Sequence, residues 1–319
     1  MKAIRIHSFG EPDVLRFEDV PDPKAGKGEV LVRAKAIGVN PVDTYIRAGG
    51  YGQRSFPFTP GFDAAGVVES VGPGVRSFKK GDRVYVYRSS NGTYAELVLC
   101  TANQVYPLPA SITFAQGGSI GVPYYTAYYA LFTRGQPKPR ETVFIHGASG
   151  GVGTAAVQMA RAYKLTVIGS AGTPQGRDLV KKEGAHHVLD HHEPNYLDRV
   201  MDLTKNKGVD IILEMLANVN LAQDVKRLAM HGRVVVIGSR GEVTIDPRET
   251  MLRNSDIRGM SLLKVSDQEL SSVHTAIAKG LKNGTLRPVV GKEIKLAEAA
   301  RAHEEVVKPG AYGKIVLIP

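Results

Sequence analysis

A glycine-rich segment at residues 146–153 constrains the fold of this 319-residue chain more than any other feature. It stands between a run typical of a buried strand and a run typical of a helix. Gly147 allows a tight turn, Gly150 leaves room for a pyrophosphate, and Gly153 lets the helix pack closely on the strand. The helix start adds free N–H groups and a positive dipole. The segment therefore predicts a loop that binds a dinucleotide.

The same segment also fits the G-x-S-x-G nucleophile elbow of α/β-hydrolases, with Ser149 as the nucleophile. A hydrolase has no need of Gly153, and a long β-rich region ahead of the elbow is foreign to that fold. A dinucleotide is thus the favoured ligand. A serine hydrolase and a purely structural turn are the two alternatives.

The two halves of the chain differ in their pattern of apolar residues and turn residues. Residues 1–122 contain short alternating segments broken by glycine and proline, which predicts a mostly β, barrel-like domain. Residues 123–264 alternate strands with helices, which predicts an α/β domain with a doubly wound parallel sheet of the Rossmann type. Its predicted strands are 142–146, 165–170, 188–189, 209–213, 234–237 and 257–263, and its predicted helices are 151–163, 174–183, 196–204 and 221–228.

The C-terminal region, residues 265–319, contains two helical patterns and a final strand at residues 314–318. A strand at the end of a chain needs a sheet to join. We therefore expect this region to return to the β-rich domain, which gives one domain of residues 1–122 and 265–319 and a second of residues 123–264.

Composition narrows the function classes. Cys100 is the only cysteine, which excludes an internal disulfide and every zinc site built from two or more thiolates. The formal charge of +10 favours anionic partners, although lysine and arginine are scattered as on a solvated basic surface. No segment approaches the roughly 18 apolar residues that span a bilayer, and residues 1–6 lack the apolar stretch of a secretory signal. We expect a cytoplasmic protein that makes no membrane contact.

The end of the second Rossmann strand predicts the cofactor. NAD-selective folds usually carry an acidic residue about 20 positions past the first glycine, where it binds both ribose hydroxyls. Residues 168–173 contain none, and Arg177, Lys181 and Lys182 follow. A 2′-phosphate would meet no carboxylate there, so NADPH is the expected cofactor.

Two histidine pairs, at residues 186–187 and 191–192, raise the thought of a metal site. The members of an adjacent pair on a short strand point to opposite faces, so four ligands do not converge. A surface loop is favoured, from which one histidine reaches the adenosine phosphate.

With these segments in place, the chain resembles the zeta-crystallin branch of the medium-chain dehydrogenase/reductase family over nearly its full length. The resemblance rests on residues 38–47, 59–66, 146–153, 214–221 and 236–241. It implies a GroES-like catalytic domain beside the Rossmann domain, assembly as a homodimer or homotetramer, and reduction of quinones by NADPH. One-electron transfer and a preference for ortho-quinones are part of that expectation.

The resemblance also implies that no metal takes part. Zinc-dependent relatives carry a cysteine at the position of Asn40 and a Gly-His-Glu run where this chain has Gly-Phe-Asp at residues 61–63. Two catalytic ligands and the four-cysteine structural lobe are therefore missing. A quinone oxygen would have to be polarised without a Lewis acid.

Site residues follow from the same resemblance. The expected cofactor set is Tyr45 and Thr126 near the nicotinamide, Ser149, Gly150, Gly151 and Val152 on the pyrophosphate, Gly172 and His191 at the adenosine phosphate, and Asn218, Gly238, Ser239 and Arg240 completing the cradle. For the acceptor pocket we suggest Asn40, Asp43 and Tyr51, since amide and phenol donors can steady a reduced quinone oxygen. Their alternative roles are a turn beside Pro41, an ion pair and a cover over the core, respectively.

Other functions stay open at this point. The sister enoyl reductases share the glycine loop and also need no zinc, so an alkenal or alkenone is an alternative acceptor. Zeta-crystallins resemble proteins that bind AU-rich RNA or accumulate as lens crystallins, which makes RNA binding a secondary hypothesis. Commoner quinone reductases can carry a lysine at Gly176 and a tyrosine at His191, so the recognition of the 2′-phosphate differs here.

Overall fold

The chain forms two units in a computed structural model that describes residues 1–319, the side chain of residue 267 excepted. The first unit consists of Met1–Val122, Pro288–Pro309 and Gly313–Pro319. The second consists of Pro123–Arg287 and Gly310–Tyr312. None of the helices in the described part of the chain has the length and apolar character that a membrane span needs.

The first unit is mostly β, as the sequence predicts. Its strands are β1 (Lys2–Ile6), β2 (Leu15–Asp19), β3 (Glu29–Val39), β4 (Asp63–Val71), β5 (Arg83–Tyr87), β6 (Leu97–Thr101), β7 (Val105–Pro107), β14 (Val290–Lys295) and β15 (Lys314–Ile318). Its helices are α1 (Pro41–Arg47), α2 (Phe114–Gly117) and α10 (Ala299–Glu305), with short 3₁₀ turns at Pro12–Val14, Ala102–Gln104 and Leu296–Glu298.

Seven of these strands form one sheet in the order β14-β15-β3-β4-β5-β7, with β6 also paired to β3. The alternating apolar residues of β3 explain its central place, because Val30, Val32 and Ile37 are fully buried in the aliphatic core. The final strand β15 pairs antiparallel with β3 and parallel with β14. The expected return of the C-terminal strand to this sheet is confirmed.

The second unit is the predicted α/β half. Its strands are β8 (Thr142–Ile145), β9 (Thr166–Ser170), β10 (His187–Leu189), β11 (Val209–Glu214), β12 (Leu228–Val236) and β13 (Asp256–Gly259). Helix α3 (Gly121–Tyr128) enters this unit at Pro123 and continues as a π-helical turn (Tyr129–Arg134). The other helices are α4 (Gly151–Ala162), α5 (Pro174–Lys182), α6 (Tyr196–Leu203), α7 (Ala217–Asp224), α8 (Pro247–Met251) and α9 (Asp267–Lys282), with 3₁₀ turns at Val225–Arg227 and Leu262–Lys264.

All neighbours in this second sheet are parallel, in the order β10-β9-β8-β11-β12-β13. That order is the doubly wound arrangement, so the predicted fold class is confirmed. The strand order reverses between β8 and β11. Ligands of such sheets bind beyond the carboxyl ends of the strands at this switch point.

Helix α9 lies in the second unit, whereas the pattern of the sequence predicts residues 265–287 as part of the first. The helix buries Leu270, Val273 and Ile277, and the hydroxyl of Tyr125 on α3 lies 3.3 Å from Nδ1 of His274. Tyr125 belongs to the second unit, as does α9. The amphipathic pattern alone shows that a helix buries one face but does not show against what.

Three elements of the second unit also differ from expectation. Helix α7 covers Ala217–Asp224 rather than the predicted 221–228, because residues 225–227 form a 3₁₀ turn and Leu228 already begins β12. Strand β12 begins at Leu228 rather than residue 234, because Val209 pairs with Leu228 across a bulge that contains Gly232. Strand β13 ends at Gly259, and the remaining residues of the predicted 257–263 strand turn into a 3₁₀ segment. Local apolar runs give no sign of a bulge that lengthens a strand.

Candidate cofactor and acceptor sites

The glycine loop between β8 and α4 has the geometry that its sequence predicts. Gly147 adopts a φ of +55°. A Cβ atom on Gly153 would lie 2.4 Å from the carbonyl oxygen of Gly147, so only glycine fits there. Gly150 is the N-cap of α4, and no side chain caps that helix. Its first N–H groups are therefore available to an anionic group.

Ser149 is not arranged as a hydrolytic nucleophile. Its hydroxyl donates to the carbonyl oxygen of Ala311 at 2.6 Å. The histidine nearest in sequence, His146, has Nε2 at 2.8 Å from Asp224 Oδ1. A serine nucleophile needs a base within hydrogen-bond reach. The geometry thus favours the dinucleotide loop over the nucleophile elbow.

A buried cluster lies where β8 and β11 end, directly at the switch point. His146 Nε2 lies 2.8 Å from Asp224 Oδ1 and 3.1 Å from Glu214 Oε2. Glu214 and Asp224 are fully buried. Burial raises the pKa of both carboxyl groups to about 7 and lowers the pKa of His146. Two neighbouring buried carboxyl groups share a proton rather than carry two negative charges. The contacts of His146 with both carboxyl groups connect the ends of β8 and β11.

These three groups are the one set of possible metal ligands among the described residues, but their spacing favours hydrogen bonds. Ligand atoms about 2.1 Å from a tetrahedral zinc ion lie roughly 3.4 Å apart. The separations of 2.8 and 3.1 Å around His146 Nε2 are shorter. The four histidines of residues 186–192 do not belong to this set.

The ends of β11 and β12 bring four of the expected cofactor residues together. Asn218 Oδ1 accepts a hydrogen bond from the backbone N–H of Arg240 at 2.9 Å. Ala217 N–H donates to the carbonyl of Gly238 at 2.9 Å. A Cβ on Gly238 would lie 2.6 Å from the carbonyl oxygen of Met215. Ser239 and Arg240 are exposed at this edge.

The end of β9 is the expected adenosine-phosphate region. A Cβ on Gly172 would lie 2.6 Å from Nε2 of His191 and 2.5 Å from Nε2 of His192, so both imidazoles stand against this glycine. Asp190 is close by, but Nη1 of Arg177 is hydrogen-bonded to its Oδ2. The pKa of Asp190 is lowered, chiefly by the hydrogen bond from the backbone N–H of His192 and to a smaller extent by the charge of Arg177.

Lys181 and Lys182, which also follow β9 in sequence, lie in the last turn of α5 rather than beside Gly172. Thr173 caps the start of α5, accepting from Gly176 N–H at 3.0 Å. The backbone start of α5 and the two histidines, not the lysines, therefore border the end of β9.

A second polar cluster lies in the first unit around Asn40. Its Nδ2 donates to Asp63 Oδ2 at 2.9 Å, and its Oδ1 accepts from Nζ of Lys314. Lys314 Nζ also lies 3.6 Å from Asp63 Oδ2. All three side chains are at most 4% exposed. A buried ammonium group thus stands beside the position of the first zinc ligand of metal-dependent relatives.

Asp43 extends this cluster. Its Oδ2 accepts from the backbone N–H of Asn40 at 2.8 Å and from the hydroxyl of Tyr94 at 3.2 Å, while its Oδ1 is buried without a partner in the described structure. His303 Nε2 lies 3.1 Å from the Tyr94 hydroxyl. Burial raises the pKa of Asp43 to about 7 and lowers that of His303 to about 3. Burial also raises the pKa of Asp63 and lowers that of Lys314, while the attraction between the two opposes both shifts.

The remaining expected residues lie on separate elements. Tyr45 is partly buried on α1, and Thr126 is buried on α3. Gly151 and Val152 form the first turn of α4. Tyr51 follows α1 in an irregular segment and is 50% exposed, so it does not cover a core.

Comparison with known proteins agrees with this architecture. The alcohol dehydrogenase GroES-like domain model matches residues 26–110, and the zinc-binding dehydrogenase model matches residues 151–279. Quinone oxidoreductase of Rattus norvegicus is 46% identical over 100% of this chain and 98% of its own. The chain belongs to the zeta-crystallin-type quinone oxidoreductases of the medium-chain dehydrogenase/reductase family.

Solved structures of this family superpose closely on the chain. Escherichia coli quinone oxidoreductase complexed with NADPH has a TM-score of 0.89 at 30% identity and covers 100% of both chains. A mycobacterial protein complexed with NADPH has a TM-score of 0.91 at 33% identity, again over 100% of both chains. The resemblance stated from the sequence motifs is confirmed.

Sequence reasoning missed several members of the two buried clusters in this quinone oxidoreductase. Asp224 and Lys314 lie 78 and 274 residues from their partners His146 and Asn40, so no spacing pattern joins them. One signal was available for Lys314: it opens an otherwise apolar strand that must be buried. A charge in such a position requires a partner.

Proposed function

We propose that this chain reduces quinones with NADPH and uses no metal ion. The observation that carries the proposal is the glycine loop at the switch point of the parallel sheet, in a chain whose full-length relatives are named quinone oxidoreductases. The cofactor supplies the reducing equivalents. The residues of the chain bind it, orient it and exclude water.

The residues present fit a dinucleotide. The uncapped start of α4 offers N–H groups to the pyrophosphate, with Ser149, Gly150, Gly151 and Val152 as its binding residues. Asn218 and the 238–240 segment, joined by their hydrogen bond, hold the nicotinamide half. Tyr45 and Thr126 are the residues we assign to the nicotinamide end itself.

NADPH is preferred because no free carboxylate borders the end of β9. Asp190 is paired with Arg177, so its charge is compensated before a 2′-phosphate arrives. Gly172 and His191 would receive that phosphate. Comparable efficiency with NADH would contradict this assignment.

Independence from metal follows from the Asn40 cluster. The side-chain oxygens of Asn40 and Asp63 face the ammonium group of Lys314, so a positive charge already lies where a metal ion would bind them. A second cation beside it would be repelled. Asn40 therefore serves the acceptor site chiefly by holding α1 in place, while Asp43 and Tyr51 are the residues we assign to the acceptor.

The test is NADPH oxidation by the purified protein with an ortho-quinone, repeated with an alkenone, with an alcohol plus NADP, and with a chelator. We expect quinone turnover that chelation leaves unchanged. Turnover with the alkenone alone would move the assignment to the enoyl reductases, and loss of activity on chelation would refute metal independence. Location in the cytoplasm, a homodimer or homotetramer, one-electron transfer and RNA binding stay predictions from the sequence.

A further inference from the structure

A cavity of about 440 Å³ lies within the first unit, next to the Asn40 cluster. Its lining comes from Arg5 of β1, from Asp43 and Ile46 of α1, and from two loops that contribute residues 54, 57–62 and 88–92, together with Gln104. Asp43 therefore belongs both to this cavity and to the cluster that we connect with the acceptor.

Three arginines line this cavity, namely Arg5, Arg54 and Arg88, against a single carboxyl group, that of Asp43. Arg5 donates to neutral partners, the carbonyl of Pro57 at 2.8 Å and the hydroxyl of Thr59 at 3.4 Å. In the described structure neither Arg5 nor Arg54 forms an ion pair. Their positive charges are not neutralised by the protein, and burial works against ionisation of the one carboxyl present.

The remaining walls combine aromatic and polar residues, the polar ones being Thr59, Ser89, Ser90, Asn91 and Gln104. Phe58 and Phe62 contribute aromatic rings, and the guanidinium of Arg54 lies 5.2 Å from the centroid of the Phe58 ring. Such a wall suits a planar ligand. A guanidinium next to it can donate two parallel hydrogen bonds to a carboxylate or a sulfonate.

The cavity is held in shape by backbone contacts between its two loops. The N–H of Thr93 donates to the carbonyl of Pro60 at 3.0 Å, and the N–H of Arg88 donates to the carbonyl of Phe62 at 2.7 Å. A Cβ on Gly92 would lie 2.0 Å from the carbonyl oxygen of Thr59, so the loops touch directly. A cationic site on such fixed loops is organised before a ligand binds.

From these contacts we infer that the cavity binds the anionic substituent of a planar aromatic acceptor, so that the chain favours quinones carrying a carboxylate or sulfonate over neutral ones. This inference rests on the proposed function, because it names the acceptor class of the same reaction. The arginines act as specificity residues and take no part in electron transfer.

The experiment compares two ortho-quinones that differ in one group, 1,2-naphthoquinone and 1,2-naphthoquinone-4-sulfonate, with NADPH as reductant. For each protein we measure the ratio of kcat/KM for the sulfonate to kcat/KM for the neutral quinone. Arg54→Gln and Arg5→Gln should each lower this ratio about tenfold, because each removes one charge-assisted contact. Arg54→Lys keeps the charge but not the paired hydrogen bonds, so its ratio should lie between those of the wild type and Arg54→Gln. Arg76→Gln, an exposed arginine outside the cavity, is the matched control and should leave the ratio unchanged.

A ratio that is the same in the wild type and both glutamine variants would overturn the inference while leaving quinone reduction intact. So would a kcat/KM for the sulfonate that does not fall with added NaCl. If neither quinone is reduced, the proposed function fails. Calorimetric titration with naphthalene-2-sulfonate then tests separately whether the cavity binds an aromatic anion. Tenfold weaker binding to Arg54→Gln and Arg5→Gln than to wild type supports the site, whereas equal binding overturns it.

Discussion

Replacement of Lys314 by methionine tests whether its ammonium group holds the Asn40 cluster together. Methionine keeps most of the side-chain volume and removes the charge. Asp63 would then be buried beside Asn40 without a cation, since Lys314 Nζ is its ion-pair partner at 3.6 Å. Breaking a buried ion pair from one side typically costs about 3–5 kcal/mol.

Two estimates from the geometry agree with that range. Opposite charges 3.6 Å apart attract by roughly 5 kcal/mol at an effective dielectric constant of about 20. Alternatively, Asp63 in the variant takes up a proton. At pH 7 this costs about 4 kcal/mol relative to an unfolded aspartate with a pKa near 3.9, at about 1.36 kcal/mol per pH unit. We therefore expect Lys314→Met to lower the free energy of unfolding of the first unit by about 4 kcal/mol at pH 7.

The protonation route gives the loss a defined pH dependence. A buried Asp63 without its cation has a folded-state pKa above the unfolded value, so the variant loses stability as the pH rises toward that folded pKa. At pH 5 protonation costs only about 1.5 kcal/mol. The difference between variant and wild type should shrink accordingly.

Urea unfolding followed by far-UV circular dichroism at pH 5 and pH 7 measures both quantities. Lys292→Met is the matched control, because Lys292 pairs with Glu305 on the surface of the same unit and its loss should cost about 0.5 kcal/mol or less. The double variant Lys314→Met/Asp63→Asn should recover much of the loss. A cost below about 1 kcal/mol at pH 7, or the same cost at both pH values, would refute the reasoning.

Three further predictions concern the second unit. Gly153→Val should abolish NADPH binding, measured by fluorescence titration, because its Cβ would lie 2.4 Å from Gly147 O. Gly259→Val, at an exposed glycine of β13 with open space around it, is the control and should bind normally. Asp190→Asn should raise the kcat/KM preference for NADPH over NADH several-fold by freeing Arg177, and an unchanged preference would show that Arg177 does not reach the 2′-phosphate. Burial raises the pKa of Glu214 and Asp224 to about 7, so the free energy of unfolding of the wild type should fall as the pH rises from about 4 to 7. Asp224→Asn should make this fall shallower in urea titrations at several pH values. An equal slope would contradict the view that Asp224 holds a proton in the folded state.

Local sequence patterns predicted the parallel sheet well because each strand and its following helix are adjacent in the chain. The cap of α5 is an example: Thr173, Pro174 and Gly184 mark its two ends within twelve residues, and the structure places them there. The glycine loop is equally local. Its function depends on backbone conformation that glycine positions reveal directly.

The acceptor side was less accessible because its contacts are distant in sequence. The sequence suggests Asn40 as a donor to the quinone, yet both ends of its amide are hydrogen-bonded within the protein, to Asp63 and Lys314. The cavity arginines come from β1 and from two loops, and no spacing rule joins them. Sites of this kind can be identified only once the three-dimensional structure shows which distant residues meet.

The position of β15 has a consequence for how the protein is made. This strand lies between β3 and β14 and carries Lys314, so the sheet of the first unit lacks an interior strand until residues 314–318 have been synthesised. The second unit has almost all of its residues by position 287 and can fold while synthesis continues. During that interval Asn40 and Asp63 have no ammonium partner, which makes the nascent first unit the stage at which chaperones would be needed most.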